Sequence, residues 1–233
     1  MGSTLPLTLA RAVSRKGSRH RDNEDRFGLL DHRTDLVRRA RRGVIYAVAD
    51  GVSSSVGGDT AAEMAIELLH EFFTTHRPPT EELLLDLVET ADAQVRMTTD
   101  AACTLTGVWL ADGVASVFNL GDSATMMYRG GTLRRITPPQ LRGRGLAAYV
   151  GMGDTVRHNI FVENIPFQKG DVFLVCSDGV LEAVTAEELH DLVNGKEEAG
   201  ALFLAEVERR LESRGHTDDA TMLVVQVLEV ESA

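Results

Sequence analysis

Apolar and polar positions change period several times along this chain, and each change marks an element. Gly43 to Ala49 is apolar almost throughout, the signature of a strand covered on both faces. The run Arg38-Arg39-Ala40-Arg41-Arg42 before it reads as an exposed loop. A polar, glycine-rich turn spans Ser53 to Gly58. Helical spacing follows: Thr60 and Glu63 stand as a capping box, and Ala61, Ala65, Leu68 and Phe72 share one stripe. Pro78-Pro79 breaks the chain. Leu84, Leu87, Val88, Ala91 and Val95 then mark a second amphipathic helix.

From about residue 102 the period shortens to that of strands. Leu105 to Leu110 and Val114 to Leu120 flank Ala111-Asp112-Gly113, and Thr125 to Arg129 and Thr132 to Ile136 flank Gly130-Gly131, so two hairpins are predicted. Residues 137–155, rich in Pro, Gly and Arg, read as a mobile surface loop. Strands are predicted at 156–163 and 171–176, and helices at about 179–193, with Thr185 and Glu188 as a second capping box, and at 198–213. A last strand runs from Thr221 to Val230. Hairpins with helices arriving in pairs between blocks of strand define an α+β fold, not a strand–helix alternation.

Composition narrows the picture. The 233 residues are 43% hydrophobic and 25% charged, enough apolar material for the core of a single domain over 1–233. Apolar runs are too short to span a bilayer, and the first residues lack the build of a signal peptide, so no membrane partner is expected. Cys103 and Cys176 sit in apolar stretches, which suits a reducing, cytoplasmic setting. The net charge is −11, yet residues 1–42 are basic. An acidic body would repel a duplex over most of its surface, so no nucleic-acid partner is expected. Acidity is also what a chain needs if several carboxylates hold divalent cations, although solubility alone explains it as well.

The candidate chemistry lies in carboxylates at strand ends. Asp50-Gly51 and Asp178-Gly179 each leave a buried strand and lead into a helix, whereas Asp112-Gly113 joins two strands as an ordinary turn. A glycine after the acid lets its backbone carbonyl approach an ion. Asn23-Glu24-Asp25 and Thr217-Asp218-Asp219 add paired acids, which solvation explains when they are exposed. Oxygen donors without Cys, and with no zinc-type spacing among the seven histidines, point to Mg²⁺ or Mn²⁺. Spacing alone does not say whether residues 24, 50, 178 and 218 converge.

Six segments in order, Asn23-Glu24-Asp25, Val48-Ala49-Asp50-Gly51, Gly58-Asp59-Thr60-Ala61-Ala62, Asn119-Leu120-Gly121-Asp122-Ser123, Cys176-Ser177-Asp178-Gly179 and Asp218-Asp219-Ala220-Thr221, resemble the protein phosphatase 2C family. The resemblance runs from about residue 8 to 230. It implies a four-layer αββα sandwich of two antiparallel sheets flanked by helix pairs. It also implies two Mn²⁺ or Mg²⁺ ions and hydrolysis of phosphoserine and phosphothreonine in proteins, the targets of a bacterial Ser/Thr kinase, by a hydroxide bridging the ions. Carried onto this chain, Asp50 would bridge both metals and the Gly51 carbonyl would hold one. Asp178 and Asp218 would bind the other with Glu24, and Asp25 would act mostly through water. A third ion would fall to Asp122 with Glu182. Asp50 and Asp178 are the acids on which catalysis would depend most.

The chain departs from the family pattern in places. His20 stands where a phosphate-clamping Arg is frequent, so phosphate binding falls to Arg19, His20 or Arg21. Val52-Ser53-Ser54-Ser55 replaces a His-bearing segment, leaving leaving-group protonation to water. Ile136-Thr137-Pro138-Pro139 lacks the family's Asp-His ahead of the flap, about 138–155. Asp219 replaces a common Asn. Arg129, Arg134, Arg135, Arg142 and Arg144 form a rim that would steer phosphoproteins, and solvated loop charge explains them equally. The alternative to an enzyme is an inactive relative acting as a phosphoprotein-binding adaptor. The complete set of metal aspartates favours the enzyme.

Overall fold

The computed structural model describes residues 5–52, 57–194 and 200–230. Two five-stranded antiparallel sheets stack face to face. The first has the order β1 (Leu7–Arg15), β12 (Ala220–Glu229), β11 (Val172–Cys176), β6 (Ala124–Arg129) and β7 (Thr132–Arg135). The second has the order β10 (Phe161–Pro166), β5 (Val114–Leu120), β4 (Leu105–Ala111), β3 (Val44–Ala49) and β2 (Arg26–Leu30). Helices α2 (Gly58–Leu68), α3 (Glu71–Thr74) and α4 (Glu81–Thr98) form one outer layer, with α2 packed on β2 and β3 and α4 on α2. Helices α6 (Asp178–Ala183), α7 (Ala186–Val193) and α8 (Ala201–Arg214) cover the opposite sheet. The result is the expected α+β sandwich with helices outside both sheets.

Side-chain alternation explains why the central strands read as continuous apolar runs. In β11, Phe173 and Val175 face the second sheet, while Val172, Leu174 and Cys176 face the helices α6–α8. In β12, Leu223, Val225 and Val227 turn inward, and Met222 and Val224 turn toward the helices. Each central strand is thus buried on both faces. Caps fix two helix starts: the Thr80 hydroxyl accepts from Leu83 N ahead of α4, and Thr185 and Glu188 close both halves of a capping box on α7.

Several segments differ from the sequence reading. Helix α1 (Asp35–Ala40) takes in Arg38-Arg39-Ala40, the first part of the 38–42 run expected as a loop: Asp35 pairs with Arg38, Val37 is fully buried, and Arg41 closes the helix at φ 49. Arg42 is held in place because its guanidinium donates to the Phe72 and Thr75 carbonyls at the end of α3. Strands β1 and β2 have no counterpart in the reading. Thr8 and Ala10 point inward in β1 while Leu7 and Leu9 are exposed, an inverted pattern that hides the strand. Thr60 is not a cap. Helix α2 begins two residues earlier, after Gly57, and Phe72 lies beyond it in α3. The predicted strand at 156–163 opens instead with a single helical turn, α5 (Val156–Asn159), and β10 follows. The helix expected at 179–193 is two, because Val184 and Thr185 leave the helical conformation between α6 and α7. The loop 137–155 carries a small hairpin, β8 (Leu141–Arg142) and β9 (Gly145–Leu146), and is pinned further on by a bridge between Val150 and Cys103. The segment 53–56, which includes the Ser53–Ser55 departure, lies outside the described residues. Among the described residues no helix is long and apolar enough to cross a membrane.

Candidate active site

Strand ends at one side of the sandwich converge on a cleft of about 280 Å³ lined by Asp50, Gly51, Val52, Thr104, Asp122, Leu141, Arg144, Gly145, Leu146, Asp178 and Asp218. Asp50 follows β3, Asp122 sits in the β5–β6 turn, Asp178 opens α6 after β11, and Asp218 precedes β12. Both sheets therefore deliver carboxylates to the same opening. Thr104 ties two of these loops together: its backbone pairs with the Asp50 carbonyl at 2.8 Å, its hydroxyl accepts from Asp50 N at 3.2 Å, and it meets Ser123 Oγ at 2.7 Å. Gly51 has no room for a side chain. A Cβ there would stand 2.5 Å from the Gly58 carbonyl carbon and 2.9 Å from Glu24 Cβ.

The first acidic segment reaches the site through the last strand. Ser177 Oγ donates to Asp25 Oδ2 at 2.8 Å and accepts from Thr221 N at 2.9 Å. Asn23 orders the same turn, its amide donating to Ser14 Oγ and its carbonyl oxygen accepting from Asp25 N. Asp219 is almost fully buried and accepts from Gly17 N at 2.7 Å and Glu24 N at 2.8 Å, with His20 Nδ1 at 2.9 Å. Its carboxylate, in place of an amide, therefore fixes the segment that presents Glu24.

Electrostatics mark the cluster as short of positive charge. Burial, aided by the fields of Asp219 and Asp178, pushes Asp25 up to about 7. Although part of Asp50 stays accessible from the cleft, burial is also the main cause that raises it well above the ordinary carboxylate range, followed by Asp25 and Asp178. Asp178 rises to about 6 through burial and the fields of Asp122 and Asp218. Glu24 and Asp122 are raised as well, burial first in each case. Glu24 Oε2 and Asp25 Oδ1 are buried without a hydrogen-bond partner. Unpartnered buried carboxylate oxygens call for a cation, and an all-oxygen donor set fits Mg²⁺ or Mn²⁺. Among the described residues no three such side chains are already drawn into a closed metal-ligating group.

The remaining predicted residues scatter. Glu182 is exposed and accepts from Thr217 Oγ1 at 3.3 Å, lining a neighbouring pocket with His216 and not the cleft. Arg19 donates to Asp218 Oδ2 at 3.0 Å. His20 turns to Asp219; burial opposes its charge, but the bond to Asp219 and the fields of Asp219, Asp218 and Glu24 outweigh it and raise its pKa. Arg21 is exposed. Arg135, read only as part of a basic rim, donates to the backbone carbonyls of Asp122 and Thr137 and so braces the Asp122 turn. The sequence reading missed Thr104 and Ser177. Ser177 had one signal, its place between a buried strand and Asp178.

Fold and site together define a protein phosphatase of the αββα sandwich type. A sequence profile described as protein phosphatase 2C matches residues 17–224, and the chain belongs to that family. The serine/threonine phosphatase stp of Listeria welshimeri is 25% identical over 247 residues, covering 91% of this chain and 92% of its own. The serine/threonine phosphatase of S. agalactiae superposes with a TM-score of 0.80 at 16% identity, over 95% of this chain and 100% of that one. The PstP catalytic domain in complex with 2 manganese ions gives 0.75 at 20% identity, over 95% and 99%.

Proposed function

We propose that this protein hydrolyses phosphoserine and phosphothreonine esters in proteins, in a cleft that holds two divalent cations, Mn²⁺ or Mg²⁺. The observation that carries the reading is the meeting of Asp50, Asp122, Asp178 and Asp218 in one cleft, beside buried oxygens of Glu24 and Asp25 that no protein donor satisfies. In this reading Asp50, the Gly51 carbonyl, Asp178, Asp218 and Glu24 hold the ions, Asp25 acts through water, and Asp122 serves a third without Glu182, which lines the neighbouring pocket. When bound, the cations supply an acidified water for attack on phosphorus and offset the charge of the phosphate dianion. The chain's own part is to present deprotonated carboxylates. Asp25 at about 7 and Asp178 at about 6 give up their protons as cations arrive, so cation affinity falls as the medium is made acidic. The partners are phosphoproteins made by a bacterial Ser/Thr kinase, and the setting is the cytoplasm.

The test is a comparison of phosphothreonine, phosphoserine and phosphotyrosine peptides with Mn²⁺, with Mg²⁺ and with chelator. Release from the first two, abolished by chelator and far weaker for phosphotyrosine, is the expected result. A folded protein that releases nothing with either ion would leave the adaptor reading instead.

A further inference from the structure

Among the described residues that line the carboxylate cleft, Arg144 is the one cation. The three basic side chains that the sequence sets nearest the site are otherwise placed. Arg19 donates to Asp218 and Thr217, His20 is bonded to Asp219, and Arg21 is exposed outside the lining. Arg144 has no carboxylate partner among the described residues, although four acids line the same cleft.

Its position is built rather than accidental. The β8–β9 hairpin pairs Leu141 with Leu146 and Arg142 with Gly145, which leaves Gly143-Arg144 as a two-residue turn. Gly143 takes φ 64, the left-handed conformation that such turns require. The base of the hairpin is sewn to the turn that carries Asp122: Gly121 N donates to Gln140 Oε1 at 2.8 Å, and Gln140 N donates to the Gly121 carbonyl at 3.0 Å. Gln140 Nε2 also donates to the Asn159 carbonyl at 2.7 Å. Beyond the hairpin, the buried Asp92 of α4 accepts from Gly151 N at 2.7 Å and Gly153 N at 3.1 Å. Both ends of the flap are thus fastened, while Arg144 at its tip stays exposed and lines the cleft.

We propose that Arg144 binds the phosphate group of the substrate from the flap side of the cleft. This rests on the phosphatase reading above. A guanidinium offers two parallel N–H donors to two phosphate oxygens, which a lysine cannot reproduce, and the fixed hairpin base lowers the cost of ordering it. Arg144 thereby takes the place in recognition that His20, committed to Asp219, leaves open.

The experiment compares wild type, R144A, R144K and, as control, R142A, whose arginine lies outside the cleft lining. KM is measured for p-nitrophenyl phosphate and for a phosphothreonine peptide, together with the inhibition constant of inorganic phosphate and the Mn²⁺ dissociation constant. Loss of a charge-assisted hydrogen bond to phosphate predicts a rise of about tenfold or more in both KM values and in the phosphate inhibition constant for R144A. Mn²⁺ affinity should stay unchanged, R144K should recover only part, and R142A should stay within about twofold of wild type. Unchanged phosphate inhibition in a folded R144A protein would overturn the proposal. So would a defect confined to the peptide, since Arg144 would then read flanking residues and not phosphate. A wild type that neither hydrolyses these esters nor binds phosphate with Mn²⁺ present would remove the phosphatase reading, and this inference with it.

Discussion

Asp178 and Asp219 show how two neighbouring kinds of acid do opposite work. Asp178 lines the cleft and is raised to about 6 by burial and by the fields of other carboxylates, so its negative charge is disfavoured there, and under the proposed function a cation would offset it. Asp178→Asn should therefore cost orders of magnitude in turnover and leave melting unchanged or slightly raised with chelator present, since it removes a repelling charge. Asp219 is buried and satisfied by Gly17 N, Glu24 N and His20. Asp219→Ala should cost about 1–3 kcal/mol, read by urea denaturation, because it strands two backbone donors. These roles were only half legible in the sequence. The Asp-Gly pairs at strand ends exposed two acids of the cleft, because a buried run followed by an acid is a local signal. The bond between His20 and Asp219 spans almost the whole chain, and nothing local announces it.

At the scale of elements, legibility followed the depth of burial. Strands β3, β4, β5, β11 and β12 are covered on both faces, so their apolar runs stand out, and α7 declares itself by its capping box. Thr185→Ala should cost about 1 kcal/mol by denaturation, as an N-cap loss does, with no change in activity beyond that. Edge and surface elements were hidden. Strand β1 points Thr8 and Ala10 inward, and α1 depends on the single buried side chain of Val37. A second apparent capping box, Thr60 with Glu63, misled because the start of α2 is set by packing of Gly58 against Gly51 and Glu24, a tertiary contact. The flap read as loop because its order comes from Gln140 and Asp92, which bond to backbone far along the chain. Asp92→Ala should loosen the flap, visible as faster amide exchange at Gly151 and Gly153, with turnover reduced severalfold while Mn²⁺ affinity holds.

For the molecule as a whole, the cleft concentrates carboxylates whose folded-state pKa values are raised, Asp25 to about 7 and Asp178 to about 6. Such groups favour the folded state when protonated. Their contribution is complete below the unfolded value near 4 and is lost as pH rises through about 6–7. With chelator, the melting temperature should thus fall between about pH 5 and pH 8. Excess Mn²⁺, which binds only the deprotonated site, should shrink or reverse that fall. A melting temperature that rises over this range in chelator would contradict the electrostatic account of the cleft. The sandwich sends acids from both sheets to one opening, and under the proposed function bound cations relieve that repulsion. Its most direct test is phosphate release from a phosphothreonine peptide by wild type and Asp178→Asn, side by side, as Mn²⁺ is titrated in from a chelated start. Release that rises with Mn²⁺ in the wild type and stays near background in a folded Asp178→Asn is the predicted result. Near-normal release by the variant, or release unaffected by chelator, would show that the carboxylate cleft is not the centre of the chemistry.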